Sequence, residues 1–263
     1  MLRPLKLWRE TSAIAQRILT ELWRRRRSLI FWAVFPVTIL ILNGLILAER
    51  LQIEQGEAFA SAAPATLVGA ALFFSCVGGS VSTVVAEREQ QTLKRLFISP
   101  LSGTAYFLGI FVAHSCIGIG QTVLVIIATL IAGGEFEGSW GLGALIVVLS
   151  IMTYVGVGFI LGAQFARRTE DVNALVATFG VPLLILGGIF LPTAFFPESL
   201  QQLSQYNPIY HMNEALTVAV LDPDNITSAT FRNHLSVLIG LSVGVTGAGW
   251  FAYRQMLRRE RSF

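Results

Sequence analysis

Charge is what this sequence has least of. Only 13% of its 263 residues are Asp, Glu, Lys or Arg, against roughly a quarter in soluble domains. No charged side chain occurs from Ala58 to Ala86, and none from Thr104 to Gly134. Runs that long exclude a water-soluble fold, whose surface helices need a polar face. Lysine is scarcer still. Lys6 and Lys94 are the only two, and Leu precedes each. That excludes a G-x-x-x-x-G-K-[ST] phosphate loop, so ATP chemistry of that kind would have to reside on another polypeptide. The two cysteines, Cys76 and Cys116, lack a C-x-x-C spacing and lie inside apolar runs. They read as packing residues, not as a disulfide or a metal site.

What is abundant is apolar surface. Hydrophobic residues make up 54% of the chain, with 18 Phe and 24 Gly, and mean hydropathy is +0.65. The pattern predicts an all-α membrane protein with six transmembrane helices, at 29–48, 60–86, 105–132, 141–165, 172–192 and 235–253. Each reaches the ~20 residues needed to cross about 30 Å of hydrocarbon. Six crossings put both termini on one side. Of the 19 Lys and Arg residues, only Arg50 and Arg232 then fall on the other. The positive-inside rule places the termini in the cytoplasm, and a five- or seven-span reading loses this separation. A bacterial-type plasma (inner) membrane is the expected location. The first apolar run follows a long polar segment and is too long for the core of a cleavable signal.

Residues 1–28 are expected to form a cytoplasmic amphipathic helix and basic run, 29–256 a single transmembrane domain, and 257–263 a cytoplasmic tail. On the first helix Trp8, Thr11, Ala15, Ile18, Leu19 and Leu22 share one face, and Arg9, Glu10, Arg17, Glu21 and Arg24 the other. Such a helix would lie along the inner membrane surface, with Trp8 and Trp23 at headgroup level. The run from Arg24 to Arg27 then meets anionic lipid at the entrance to span one. Nucleic acid is not an expected partner, because these arginines abut a span and lack interleaved stacking aromatics.

Span two is rich in Gly, Ala, Ser and Thr, which favours an interior helix in contact with other helices. Span five does not end cleanly. Pro182, Gly187, Gly188, Pro192 and Pro197 interrupt it. Two short helical segments follow, 198–206 and 211–221, divided by Asn207-Pro208. Neither is long enough to cross. The segment 193–221 is therefore expected to be re-entrant from the outer side, shielded by protein because irregular backbone cannot face lipid.

Between spans two and three lies EREQQTLKRLFISPLSG, residues 87–103. Leu93, Leu96 and Phe97 fall on one side of a short helix, while Gln91, Lys94 and Arg95 project elsewhere. Ser99-Pro100 stops it, since the residue before Pro is steered from helical angles. A linker would not need that apolar side. The pattern Glu-Arg-Glu-x-x-Thr-Leu-x-x-Leu-x-x-Ser-Pro-Leu-Ser, Glu87 to Ser102, resembles the cytoplasmic loop of ABC type-2 exporter permeases, closest to the daunorubicin-resistance type of multidrug permease. Leu191-Pro192, Pro197, Asn207-Pro208, His211 and Glu214-Ala215 resemble the segment after span five in the same family.

The resemblance covers nearly the whole chain. It implies a permease subunit whose coupling helix, in the loop 87–104, docks on a separate cytoplasmic nucleotide-binding ATPase. Glu87, Glu89, Thr92, Leu93, Leu96 and Pro100 would form the transmission element. ATP and Mg would belong to the ATPase, with no cofactor in this chain. A second permease copy, or a homologous permease, would complete a dimer. Many relatives have Gly where this sequence has Gln91, which puts the loop's flexibility in doubt.

The substrate pathway expected from spans two and five comprises Phe73, Phe74, Ser75, Ser80, Ser82, Thr83, Asn173, Thr178 and Phe179. No acid or base sits in the middle of either span, which favours an amphipathic, lipid-like or drug-like cargo over an ion. Pro192, Pro197, Asn207, Pro208, His211 and Glu214 would shape an external gate. Two other classes remain open. A proton-coupled secondary transporter would use His114, with Gln121 two turns away. An intramembrane hydrolase would need Ser80 or Ser82 opposed to His211 or His234, but a G-x-S-x-G elbow is missing.

Overall fold

A computed structural model describes residues 3–24, 26–90, 102–166 and 168–261. Uncharged runs in hydrocarbon must satisfy every backbone group internally, which leaves helices or closed barrels. Here they are helices, and no strand occurs among the described residues. The elements are α1 (Arg3–Arg24), α2 (Arg26–Leu51), α3 (Gln55–Glu89), α4 (Gly103–Ile131), α5 (Trp140–Phe165), α6 (169–186), α7 (Glu198–Ser204), α8 (Pro208–Leu221) and α9 (Ala229–Arg261). Five of them, α2 to α5 and α9, are long and apolar enough to cross a membrane. The chain is a multi-pass helical membrane protein.

The centre is α3. It is the most buried of the five, as its small residues predict. Close approach is literal at Gly158 of α5. A Cβ there would lie 1.9 Å from Ser80 Oγ and 2.8 Å from the Val77 carbonyl. Within α3 the backbone ladder widens from Thr66 to Gly78 into i→i+5 turns, starting two residues after Pro64, which has no donor to give. By contrast α2 fully buries only Pro36, Leu40 and Gly44, and the rest of it is half-buried or exposed. The last span, α9, lies along α5. Ser242 Oγ sits 2.9 Å from Thr153 Oγ1, and Gln164 Nε2 donates to the Ala252 carbonyl at 3.1 Å.

The remaining expected crossing, 172–192, is built differently. It consists of helical pieces of 7, 5 and 6 residues, Thr169–Leu175, Val176–Gly180 and Val181–Leu186. The helix stops at Leu186, six residues before the expected end, because Gly188 turns the chain at φ +77°. The backbone beyond is not left bare. Asn207 Nδ2 donates to the Leu183 carbonyl at 2.6 Å, Asn213 Nδ2 to Gly187 at 3.4 Å, and Asn43 Nδ2 to Ile189 at 3.4 Å. Asn213 and Asn43 thus take up carbonyls at and beyond the break, and Asn207 adds a second donor to the Leu183 carbonyl, which already accepts from the Gly187 amide at 2.8 Å. Asn207 also caps α8, accepting from the Ile209 amide at 3.0 Å, with Pro208 in the first helical position, where a missing N–H is harmless.

Helix α1 is docked on the bundle rather than only on a membrane surface. Thr11, Ile14, Ala15 and Ile18 are buried at i, i+3, i+4 and i+7, with Ile14 pressed against Gly109 of α4. The expected face omits Ile14 and includes Trp8, which is 67% exposed. The rest of the expected face holds: Thr11, Ala15 and Ile18 are buried, and Leu19 and Leu22 pack against the core. Trp23, expected at headgroup level, is also exposed.

Candidate functional site

The last turn of α3 sends its side chains to different neighbours. Glu87 points inward and is only 5% exposed. Arg17 of α1 donates to its Oε1, and the Tyr106 hydroxyl of α4 donates to its Oε2. Arg88 points the other way. Its Nη1 donates to the Gly162 and Ala166 carbonyls at 2.8 and 3.0 Å, at the end of α5 where carbonyls lack helical partners. Glu89 is exposed.

The far root of the charged loop is also tied to α1. Ser102 caps α4, accepting from the Ala105 amide at 3.1 Å, and donates its own amide to Glu10 Oε2 at 3.0 Å. That amide, with help from Lys6 at 3.7 Å, holds the Glu10 carboxyl below the usual carboxylate range. Both ends of the loop therefore attach to one helix, through Arg17–Glu87 and Glu10–Ser102. This joint lies at the same end of the bundle as the N-terminal helix. Thr92, Leu93, Leu96 and Pro100 of the expected transmission element lie outside the described residues. Of that element, Glu89 is exposed, whereas Glu87 is buried against Arg17 and Tyr106.

The expected pathway residues do not gather in one cavity of this chain. Phe73 is buried edge-on against Tyr154 and Phe74, and Phe74 in turn meets Phe35 of α2. Ser75 and Ser80 are fully buried and donate back to the Ala71 and Cys76 carbonyls at 2.6 and 2.5 Å. Ser82 and Thr83 border a cavity of about 200 Å³ near the joint, shared with Glu21, Trp32, Glu87 and Gln90. Asn173, Thr178 and Phe179 lie on the exposed face of α6. His114 is buried between α3 and α4, its Nε2 3.2 Å from Thr83 Oγ1. Thr83 Oγ1, which also donates to the Gly79 carbonyl at 2.9 Å, is the α3 hydroxyl that meets His114, whereas Ser80 donates to the Cys76 carbonyl.

At the opposite end, Pro192 precedes a tight turn at Thr193–Phe195, and Pro197 precedes α7. Asn207 and Pro208 start α8 as described. His211 is buried, and its Nδ1 is 2.8 Å from His234 Nδ1. Glu214 is partly buried, which pushes its carboxyl above the ordinary value. A larger cavity of about 520 Å³ runs between α2, α3 and the turn, with Asn43, Arg50 and Phe195 among its walls.

Sequence reasoning missed Arg17, Tyr106, Arg88, Asn43, Asn213 and the His211–His234 contact. Asn43 carried a visible signal, as an amide inside an otherwise apolar run. The others did not, because their partners are remote in sequence. Among the described residues no group of three or more His, Cys, Asp or Glu is placed to hold a metal ion.

Residues 9–221 match the membrane family described as ABC-2 type transporter. The chain belongs to that family. It is 29% identical over 133 residues to the probable multidrug ABC transporter permease YbhR of Escherichia coli K12, a match covering 50% of this chain and 36% of YbhR. The chain thus spans about a third of YbhR's length in that match. It is 24% identical over 200 residues to the inner membrane transport permease YadH of Escherichia coli K12, covering 76% of this chain and 77% of YadH.

Proposed function

We propose that this chain is the membrane subunit of an ATP-driven exporter. A separate cytoplasmic ATPase grips the loop 87–104, binds ATP and Mg, and moves the bundle between inward- and outward-facing states. The cargo is amphipathic, lipid-like or drug-like, and it leaves from the cytoplasm or the inner leaflet. The multidrug designation of YbhR supports the drug-like choice, the inner-membrane designation of YadH supports a plasma-membrane location, and the Lys and Arg distribution supports cytoplasmic termini. A second copy or a related permease would complete the pathway, for which the exposed Asn173, Thr178 and Phe179 of α6 are available.

One observation carries this reading: both roots of the loop are fixed to α1 and to the ends of α3 and α4. A loop anchored at both roots can transmit force, where a free tether would absorb it. Swinging a two-state pathway from 1:99 to 99:1 takes about 5.5 kcal/mol of differential binding, so compliance in the lever would be wasteful. The test replaces Leu93 and Leu96 together by Asp in the full chain, reconstituted with the ATPase that co-purifies with it. Insertion should be normal, while export and stimulated ATP hydrolysis are lost. Unimpaired transport by that double variant removes the assignment.

A further inference from the structure

The two histidines opposite the joint have a hydrogen-bond arithmetic of their own. His211 belongs to α8 and His234 to α9. Their Nδ1 atoms are 2.8 Å apart, and His211 Nε2 is 2.8 Å from the Gln205 carbonyl. A carbonyl only accepts, so His211 Nε2 carries a hydrogen. At 2.8 Å just one hydrogen fits between the two Nδ1 atoms. The contact therefore tolerates a total charge of zero or +1 on the pair, and not +2, which would set two N–H groups against each other.

The surroundings offer little relief. Both rings are buried, at 7% and 5% exposure, and the Tyr210 ring lies 5.5 Å from each. Glu214 sits one turn further along α8, and Arg232 is exposed two residues before His234 on α9. On neighbouring elements the charged groups are Glu57 of α3, Glu198 at the far end of α7, Glu135 and Glu137 of the turn hydrogen-bonded to the C-terminal end of α8, and Asp222 and Asp224 beyond that end, while Tyr154 of α5 is buried against Phe73. Among the described residues no carboxylate is hydrogen-bonded to either imidazole. Gln205 ends α7, so the pair joins three elements: the end of α7, the first turn of α8 and the first turns of α9.

We propose that His211 and His234 form a proton-operated latch, which holds the α7–α8 turn against α9 at neutral pH and releases it when both imidazoles are protonated. Free imidazoles each take up a proton near pH 6.5, whereas the closed latch takes one at most. Below that pH the open form binds at least one proton more. The ratio of open to closed then rises with acidification, approaching at least tenfold per pH unit. The latch is thus intact above about pH 6.5 and lost as pH falls.

The test is independent of transport. The full chain in lipid nanodiscs with EDTA is studied by hydrogen–deuterium exchange between pH 7.5 and 5.5, with rates corrected for intrinsic pH dependence. Exchange in peptides covering 198–214 should rise by tenfold or more in the wild type at the acid end. His234→Gln should abolish the rise, because a Gln amide can donate to a neutral His211 or accept from a charged one. A flat wild-type profile, or an equal rise in His234→Gln, overturns the latch. A response that disappears in EDTA and returns with Zn²⁺ makes the rings metal ligands and overturns it too. Should the variant fail to fold, the wild type decides alone, since it has only three histidines. Selective ¹⁵N labelling should show two rings becoming doubly protonated together with the loss of protection. Rings that stay singly protonated at pH 5.5 refute the proposal.

Discussion

The joint at Glu87 makes an ordered prediction about three variants. Glu87 is nearly buried, with 7% of its side chain exposed, whereas Arg17 keeps 37%. Breaking a fully buried ion pair from one side costs about 3–5 kcal/mol, and an exposed pair is worth about 0–1 kcal/mol. Arg17 lies between these limits, so Arg17→Met should cost about 2 kcal/mol after allowance for screening. The cost arises because the carboxylate is left facing α1 with only the Tyr106 hydroxyl. Glu87→Gln should cost less, about 1 kcal/mol. Its amide oxygen still accepts from Tyr106, and the half-exposed guanidinium can turn to water. The double variant should fall well short of the sum, since Arg17→Met no longer strands a charge once Glu87 is Gln. In half-lives of unfolding in mixed micelles, or in equilibrium denaturation where it is reversible, 2 kcal/mol is about 30-fold. Arg17→Met within 0.5 kcal/mol of wild type, or Glu87→Gln worse than Arg17→Met, would refute the inward-facing carboxylate.

Two further predictions concern packing and capping. Gly158→Ala should destabilise the bundle by about 1–3 kcal/mol, because its Cβ meets Ser80 Oγ and the Val77 carbonyl. Gly78→Ala, with no atom within 4 Å of its Cβ, should be neutral or stabilising by up to ~1 kcal/mol through helix propensity, and thermal melts of the pair check the contrast. Asn207→Ala removes both the α8 cap and the bond to Leu183, for a loss of about 2 kcal/mol. Limited proteolysis between residues 190 and 208 should accelerate selectively, and a uniform change across the chain would count against a local role.

Hydropathy made the membrane class and most of the long helices legible, because a chain in lipid must close its own backbone bonds wherever charge is missing. Partnership was less legible. The family resemblance assigns Glu87 to the transmission element, and nothing in its spacing shows that its side chain turns inward. Its guanidinium partner lies 70 residues earlier, on α1. The same limit hid the latch, whose rings are 23 residues apart on separate helices. Span five looked broken from its Pro and Gly content, and it is. That three asparagines would donate to carbonyls around the break could not be read from spacing, since Asn43 comes from the first span and the other two from beyond the turn.

The buried polar groups divide by position along α3. Near Glu87 they are ionic and bind three helices. At the opposite end they are amides and imidazoles that hold an interrupted backbone. Between them α3 is packed on every side, and its ladder widens over Thr66–Gly78. A rigid, close-packed helix can move only as a body or by changing its turn, and i→i+5 turns are where a helix does the latter at least expense. If the loop is pushed, the displacement would enter α3 at Glu87 and Arg88. Seats at Gly158 and Gly162 of α5 would resist sliding there, so the change would be expressed across the wide turns, next to the wide turns of α6 at Val176–Gly180, where Phe73 packs against Gly180. Fixing those turns should therefore uncouple the two ends without disturbing the joint itself.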